Sequence, residues 1–155
     1  MMLVRDLAAG KLFGHPIHVM LVHFPAALLP VAAALEALRD FAHVSLVLDI
    51  RILLWPGVAM GWIAVVFGLW DLIRLPKASP EMMHALIHGG INATALSGFT
   101  WALYLSPTSA ESTLRVVIEL ACTALILIGN KFGGDLIFRY AIGHLHTEIE
   151  SKRYH

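Results

Sequence analysis

Nine histidines stand in a chain of 155 residues that is otherwise poor in polar groups. Imidazole can ligate a metal or carry a proton near neutral pH, so their placement comes first. His18, His23, His84 and His88 fall inside long apolar runs, and so do Asp71, Asn130, Lys131 and Asp135. Ionisable groups are costly in lipid; they usually face a bundle interior, pair together or mark a functional site. His84 and His88 are four apart and share one helix face, as ligands at i, i+4 do. His18 and His23 are five apart, about 140° around an ideal helix, so both reach one centre only with distortion. Pro25 can supply some by removing the backbone bond to Leu21. The bland readings are a packing role for any single histidine and an i, i+4 ion pair of Asp135 with Lys131 or Arg139. His15 precedes Pro16 as a turn or interface residue; His43, His144, His146 and His155 belong to loops or the tail.

The elements that position these groups follow from hydropathy. Hydrophobic residues make up 58% of the chain and charged residues 14%, with a mean hydropathy of +0.74. A soluble fold of this size leaves too much surface exposed to hide such a composition. A helix needs about 20 apolar residues to cross the hydrocarbon core. Four stretches meet that length: roughly Pro16 to Arg39, Arg51 to Asp71, within Met82 to Ala110, and roughly Thr113 to Tyr140. The last reads as the least apolar, with Glu119, Asn130, Lys131 and Asp135. The expected fold is all-α, an integral membrane four-helix bundle over residues 15–141. An amphipathic interfacial segment over residues 1–14 precedes it and a cytoplasmic tail over 142–155 follows. Trp55, Trp70, Trp101, Tyr104 and Tyr140 lie near helix ends, as interfacial aromatics do. Arg5, Lys11, Arg74, Lys77, Arg139, Lys152 and Arg153 fall on one side, and Arg39, Arg51 and Arg115 on the other. The positive-inside rule then puts both termini in the cytoplasm of a bacterium, with the bundle in its inner membrane. Zero net charge without a basic block excludes nucleic acid, and the lone Cys122 excludes an intrachain disulfide and a C-x-x-C-H haem attachment.

The same helical hairpin occurs twice. Leu21-Val22-His23 returns as Leu86-Ile87-His88, 65 positions on; Phe67-Gly68 returns as Phe132-Gly133, and Asp71-Leu72-Ile73 as Asp135-Leu136-Ile137. Two hairpins in one orientation are parallel repeats about an axis along the membrane normal. That symmetry sets His23 opposite His88, roughly 10–12 Å below the cytoplasmic face, and Asp71 opposite Asp135. Nearly every intramembrane ionisable group then falls in the cytoplasmic half. Gly57-x-x-x-Gly61 and Gly129-x-x-x-Gly133 allow close approach of a neighbouring helix or a flat cofactor.

The segment Gly14-His15-Pro16-Ile17-His18-Val19-Met20-Leu21-Val22-His23-Phe24-Pro25 resembles the opening of a bacterial membrane-protein family known as domain of unknown function 2231. Its members often begin G-H-P-x-H-P-x-L-V-x-F-P. The resemblance continues through His84-Ala85-Leu86 and Gly133-Gly134-Asp135-Leu136-Ile137-Phe138-Arg139, nearly the whole chain. Val19 replaces the usual second proline, and Tyr140 stands where many relatives have histidine, which removes one possible ligand. Relatives joined to Rieske or cytochrome c type domains point towards redox chemistry. The expectation is a membrane cytochrome with one b-type haem, His23 and His88 as axial ligands (or His18 and His84), and Arg74, Lys77 or Arg139 on its propionates. It would serve one-electron transfer with a quinone or a larger redox complex, as a carrier or subunit rather than a stand-alone enzyme. Two alternatives stay open: a haem-free accessory subunit, and a metal or proton site built from His18, His84, His88 and Asp71.

Overall fold

A computed structural model describes residues 10–12, 15–47, 49–105, 109–140 and 142. Four long helices dominate it: α1 (Ile17–Phe41), α2 (Arg51–Leu72), α3 (Pro80–Tyr104) and α4 (Ser109–Phe138). Before them a two-residue strand β1 (Lys11–Leu12) pairs antiparallel with β2 (His15–Pro16). The interfacial segment expected over 1–14 falls largely outside the described residues, and its described part is Gly10 and β1. The tail over 142–155 lies outside them except for Ile142.

Local chemistry sets the helix ends. Ser79 accepts a bond from the Met82 amide at 3.1 Å, Pro80 takes the first helical position and Glu81 the first turn, so α3 starts with a complete N-terminal signature. The α1 helix runs through Pro25 and Pro30 without ending, as neighbours in a membrane bundle permit. It closes where His43 takes a left-handed φ of 54° and Val44 donates back to the Leu38 carbonyl. At the other end of the hairpin Gly10 has φ +70°, and a Cβ there would come within 3.1 Å of the Asp71 carboxylate. Only glycine fits that turn easily.

The helices pack in the ring order α1–α2–α3–α4, tightest within the two hairpins α1–α2 and α3–α4. Leu29, Ala32, Ala33, Val58, Ala95, Leu96, Phe99 and Ile126 meet in the core. The outer surface is more strongly apolar than a water-soluble bundle tolerates: Ile52, Trp55, Val66, Trp70, Trp101, Leu127 and Phe138 are all exposed. A Cβ on Gly57 would lie 2.6 Å from Leu29, and one on Gly61 would lie 2.7 Å from Leu96. These two glycines therefore let α2 close on both neighbours. The α1 helix, α2 and Ser112–Phe138 of α4 are long and apolar enough to cross a membrane. Averaged over its whole length α4 is the least apolar helix, as its charges suggested, yet it is α3 that falls short of a membrane-crossing apolar run. It matches α1 in length, but His84, His88, Asn92, Thr94, Ser97 and Thr100 lower its hydropathy. It packs between α2 and α4.

The duplication is visible in the burial pattern, with a change of register. Leu54, Gly57, Gly61 and Ala64 on α2 are buried, and so are Glu119, Cys122, Ile126 and Gly129, each 65 positions later on α4. For the first helices the offset is 70: Leu29 and Ala32 on α1 correspond to Phe99 and Ala102 on α3, all buried. At an offset of 65 the same two α1 residues would match Thr94 and Ser97, which are exposed. The connections explain the difference. Residues 42–50 join α1 to α2, whereas 105–108 join α3 to α4, five fewer.

Candidate functional site: a histidine pair and a buried ion cluster

The register decides which histidines are equivalent. His18 lies 70 positions before His88, and the two make the same contacts in their own hairpins. His18 Nδ1 lies 2.8 Å from the Ala64 carbonyl oxygen, and His88 Nδ1 lies 2.8 Å from that of Gly129, the residue equivalent to Ala64. Each ring also rests on a glycine one turn further along. A Cβ on Gly68 would come within 2.9 Å of the His18 ring, and one on Gly133 within 2.7 Å of the His88 ring. The F-G repeat thus marks two platforms on which the rings lie.

A carbonyl oxygen only accepts, so each Nδ1 carries the proton and donates it. In the neutral ring, Nε2 is then left with the lone pair. Asn92 Nδ2 also approaches His88 Nδ1 at 3.2 Å, but it donates at 2.9 Å to the His88 carbonyl, which leaves the Gly129 bond intact. The two ring centres are 6.3 Å apart and perpendicular. They open into a cavity of ≈ 730 Å³ among the helices, which Asp71, Asn92 and Asn130 also line. That volume lies within the usual range of small-molecule sites.

The other expected residues are placed differently. His23 is exposed on α1 yet borders the same cavity; the ring facing His88 belongs to His18. His84 bonds the Pro80 carbonyl at 3.0 Å and stacks edge-on with Tyr140, centres 5.0 Å apart. Arg74 lies over the Trp70 ring and Arg139 over that of Tyr140, and Lys77 is exposed. All three are at the end of the bundle that bears the histidines. Asp135 does not line the cavity, and Lys131 is exposed. No ion pair joins Asp135 to Lys131 or Arg139 among the described residues.

A second polar group sits at the opposite end. Glu36 on α1 is 2% exposed, Arg115 on α4 is 4% exposed and Glu119 is 0% exposed. Arg115 binds Glu36 through both Nε, at 2.9 Å, and a terminal nitrogen. Arg39 also reaches Glu36 at 2.9 Å while holding Asp40 at 3.0 Å. The expectation that intramembrane charge gathers in one half is therefore corrected. Arg115, counted from sequence with Arg39 and Arg51 among the cations of one membrane side, is a buried partner of a glutamate 79 residues away. Sequence distance hid the pairing. The signal available was Glu36, Arg115 and Glu119 interrupting apolar runs.

Apolar outer faces, bundle-length helices and polar groups turned inward define an integral membrane protein of the four-helix class. The chain belongs to the family described as predicted membrane protein, domain of unknown function 2231, whose pattern matches residues 14–146. No curated protein and no solved structure matches it.

Proposed function

We propose that this chain binds one b-type haem between His18 and His88 and transfers single electrons. The observation that carries the reading is the pair of imidazoles with ring centres 6.3 Å apart, each fixed through Nδ1 by a carbonyl. Two imidazoles on one metal through Nε2, at about 2.0 Å each, have centres about 6 Å apart. Among the described residues no group of three or more His, Cys, Asp or Glu side chains is placed to hold a metal ion. Two histidines alone do not complete a tetrahedral site. A porphyrin brings four nitrogens of its own and needs only the axial pair. Arg74, Lys77 and Arg139 at the same end supply cations for propionates.

The protein purified from its own membranes is expected to show a Soret band, with α and β bands that sharpen on reduction by dithionite. Its extracted pigment is expected to be protohaem, since no C-x-x-C-H motif is present. A colourless preparation from fully loaded membranes would end the cytochrome reading and favour a haem-free accessory subunit. A single haem in one half of the bundle does not carry an electron across the bilayer. The reading therefore includes a partner, a quinone or a larger redox complex.

The cation distribution supports an inner-membrane topology with both termini cytoplasmic. Reporter fusions after His155 should behave as cytoplasmic, and fusions in the 42–50 connection as external. The reverse pattern would place the histidine pair in the outer half.

A further inference from the structure

We propose that Glu119 is a proton-binding site, exchanging its proton with water at the end of the bundle opposite the histidine pair. Three observations carry this, and none depends on what His18 and His88 hold. First, the side chain is fully buried, and neither carboxylate oxygen has a hydrogen-bond partner among the described residues. Thr123 Oγ1, one turn further along α4, is buried and unpartnered as well. Second, the cluster holds three carboxylates (Glu36, Asp40, Glu119) against two guanidiniums, Arg39 and Arg115. Both guanidiniums are taken by Glu36 and Asp40. Glu119 is the surplus carboxylate, and a proton on it makes the group neutral, the state that a low-dielectric interior favours.

Third, the duplication supplies an internal control. In the first hairpin the positions equivalent to Arg115 and Glu119 are Ile50 and Leu54, each 1% exposed. Apolar side chains fill that place in this fold, so packing alone does not call for an ion cluster. A buried ion pair is seldom worth more than the apolar contacts that could replace it. What the second hairpin has in exchange is a group that can gain and lose a charge.

The path to water runs along the end of α1. Glu119 lies about 10 Å inside the Ser112 end of the α4 span, at 1.5 Å per residue. Arg39 is partly exposed and contacts both Asp40 and Glu36. The charged groups acting on Glu119 are Glu36, Arg39 and Asp40 on α1 and Arg115 on its own helix. The α3 helix, also packed on α4, brings only apolar buried side chains to the core, and its Tyr104 is exposed.

Infrared difference spectra between acid and alkaline buffer, recorded on the intact protein in H₂O and D₂O, test the site. The expected result is a carboxylic-acid C=O band in the acid state that shifts down in D₂O. It should be absent in Glu119→Gln and retained in Asp40→Asn. No such band in the wild type across the accessible pH range would overturn the proposal. A band that survives Glu119→Gln and disappears in Asp40→Asn would overturn it too, by placing the proton on Asp40. The D₂O shift of the wild type does not rely on any variant folding, and Glu119→Gln keeps the shape of the side chain.

Discussion

His18→Ala and His88→Ala are each expected to abolish the low-spin haem spectrum, by similar amounts. The equality follows from the geometry: each ring has the same carbonyl bond at 2.8 Å and the same glycine beneath it. If the two rings hold the haem of the proposed function, losing either one would leave the cofactor held from one side. His23→Ala should leave the spectrum low-spin, because its side chain borders the cavity from an exposed position. His84→Ala should do the same and at most shift the potential, since His84 is tied to Pro80 and Tyr140 instead. Methionine at position 88 is the informative second change: it can still ligate iron, and an axial Met raises the potential. Spectra of the four alanine variants at equal protein decide the pairing. Haem loss in His23→Ala with retention in His18→Ala would restore the pair at an offset of 65 and reject the one at 70.

The largest effect on stability is expected from Arg115→Leu. This change removes the guanidinium from a glutamate that is 2% exposed and leaves Glu36 held only by Arg39. Breaking a buried pair by deleting one member costs about 3–5 kcal/mol, mostly from the charge left behind. That is a large share of the ~5–15 kcal/mol that holds most folds together. Thermal unfolding in detergent should show a strongly lowered midpoint or little folded protein. The combined variant Glu36→Leu, Arg115→Ile, Glu119→Leu should recover most of the loss, because Ile50 and Leu54 already fill the equivalent places in the first hairpin. Failure of the combined variant to recover would show that the cluster is needed for packing.

The helices were legible because lipid demands long uninterrupted apolar runs, and such runs are plain in this sequence. The shortfall of α3 was not. The charges of α4 draw the eye, while the uncharged polar groups of α3, Asn92, Thr94, Ser97 and Thr100, lower its hydropathy more quietly. The duplication could be read from Phe67-Gly68 and Phe132-Gly133, and those glycines are the ones the histidines rest on. Pairing His23 with His88 assumed one offset through both helices. The true register changes by five because the two connections differ in length, and identity of single residues in an apolar chain does not reveal that. Side-chain pairing of Glu36 with Arg115 depends on α1 meeting α4, a closure of the ring that no local pattern encodes.

The histidine pair is anchored by peptide groups, whereas the ion cluster is built of side chains. Every residue has a carbonyl, so no exchange at position 64 or 129 by itself deletes the acceptor that orients His18 or His88. What sequence drift can do is add bulk, and the floor under each ring tolerates none, at Gly68 and at Gly133. The tautomer that leaves Nε2 open is thus written into the course of the main chain, and the glycines beneath the rings hold a veto over it.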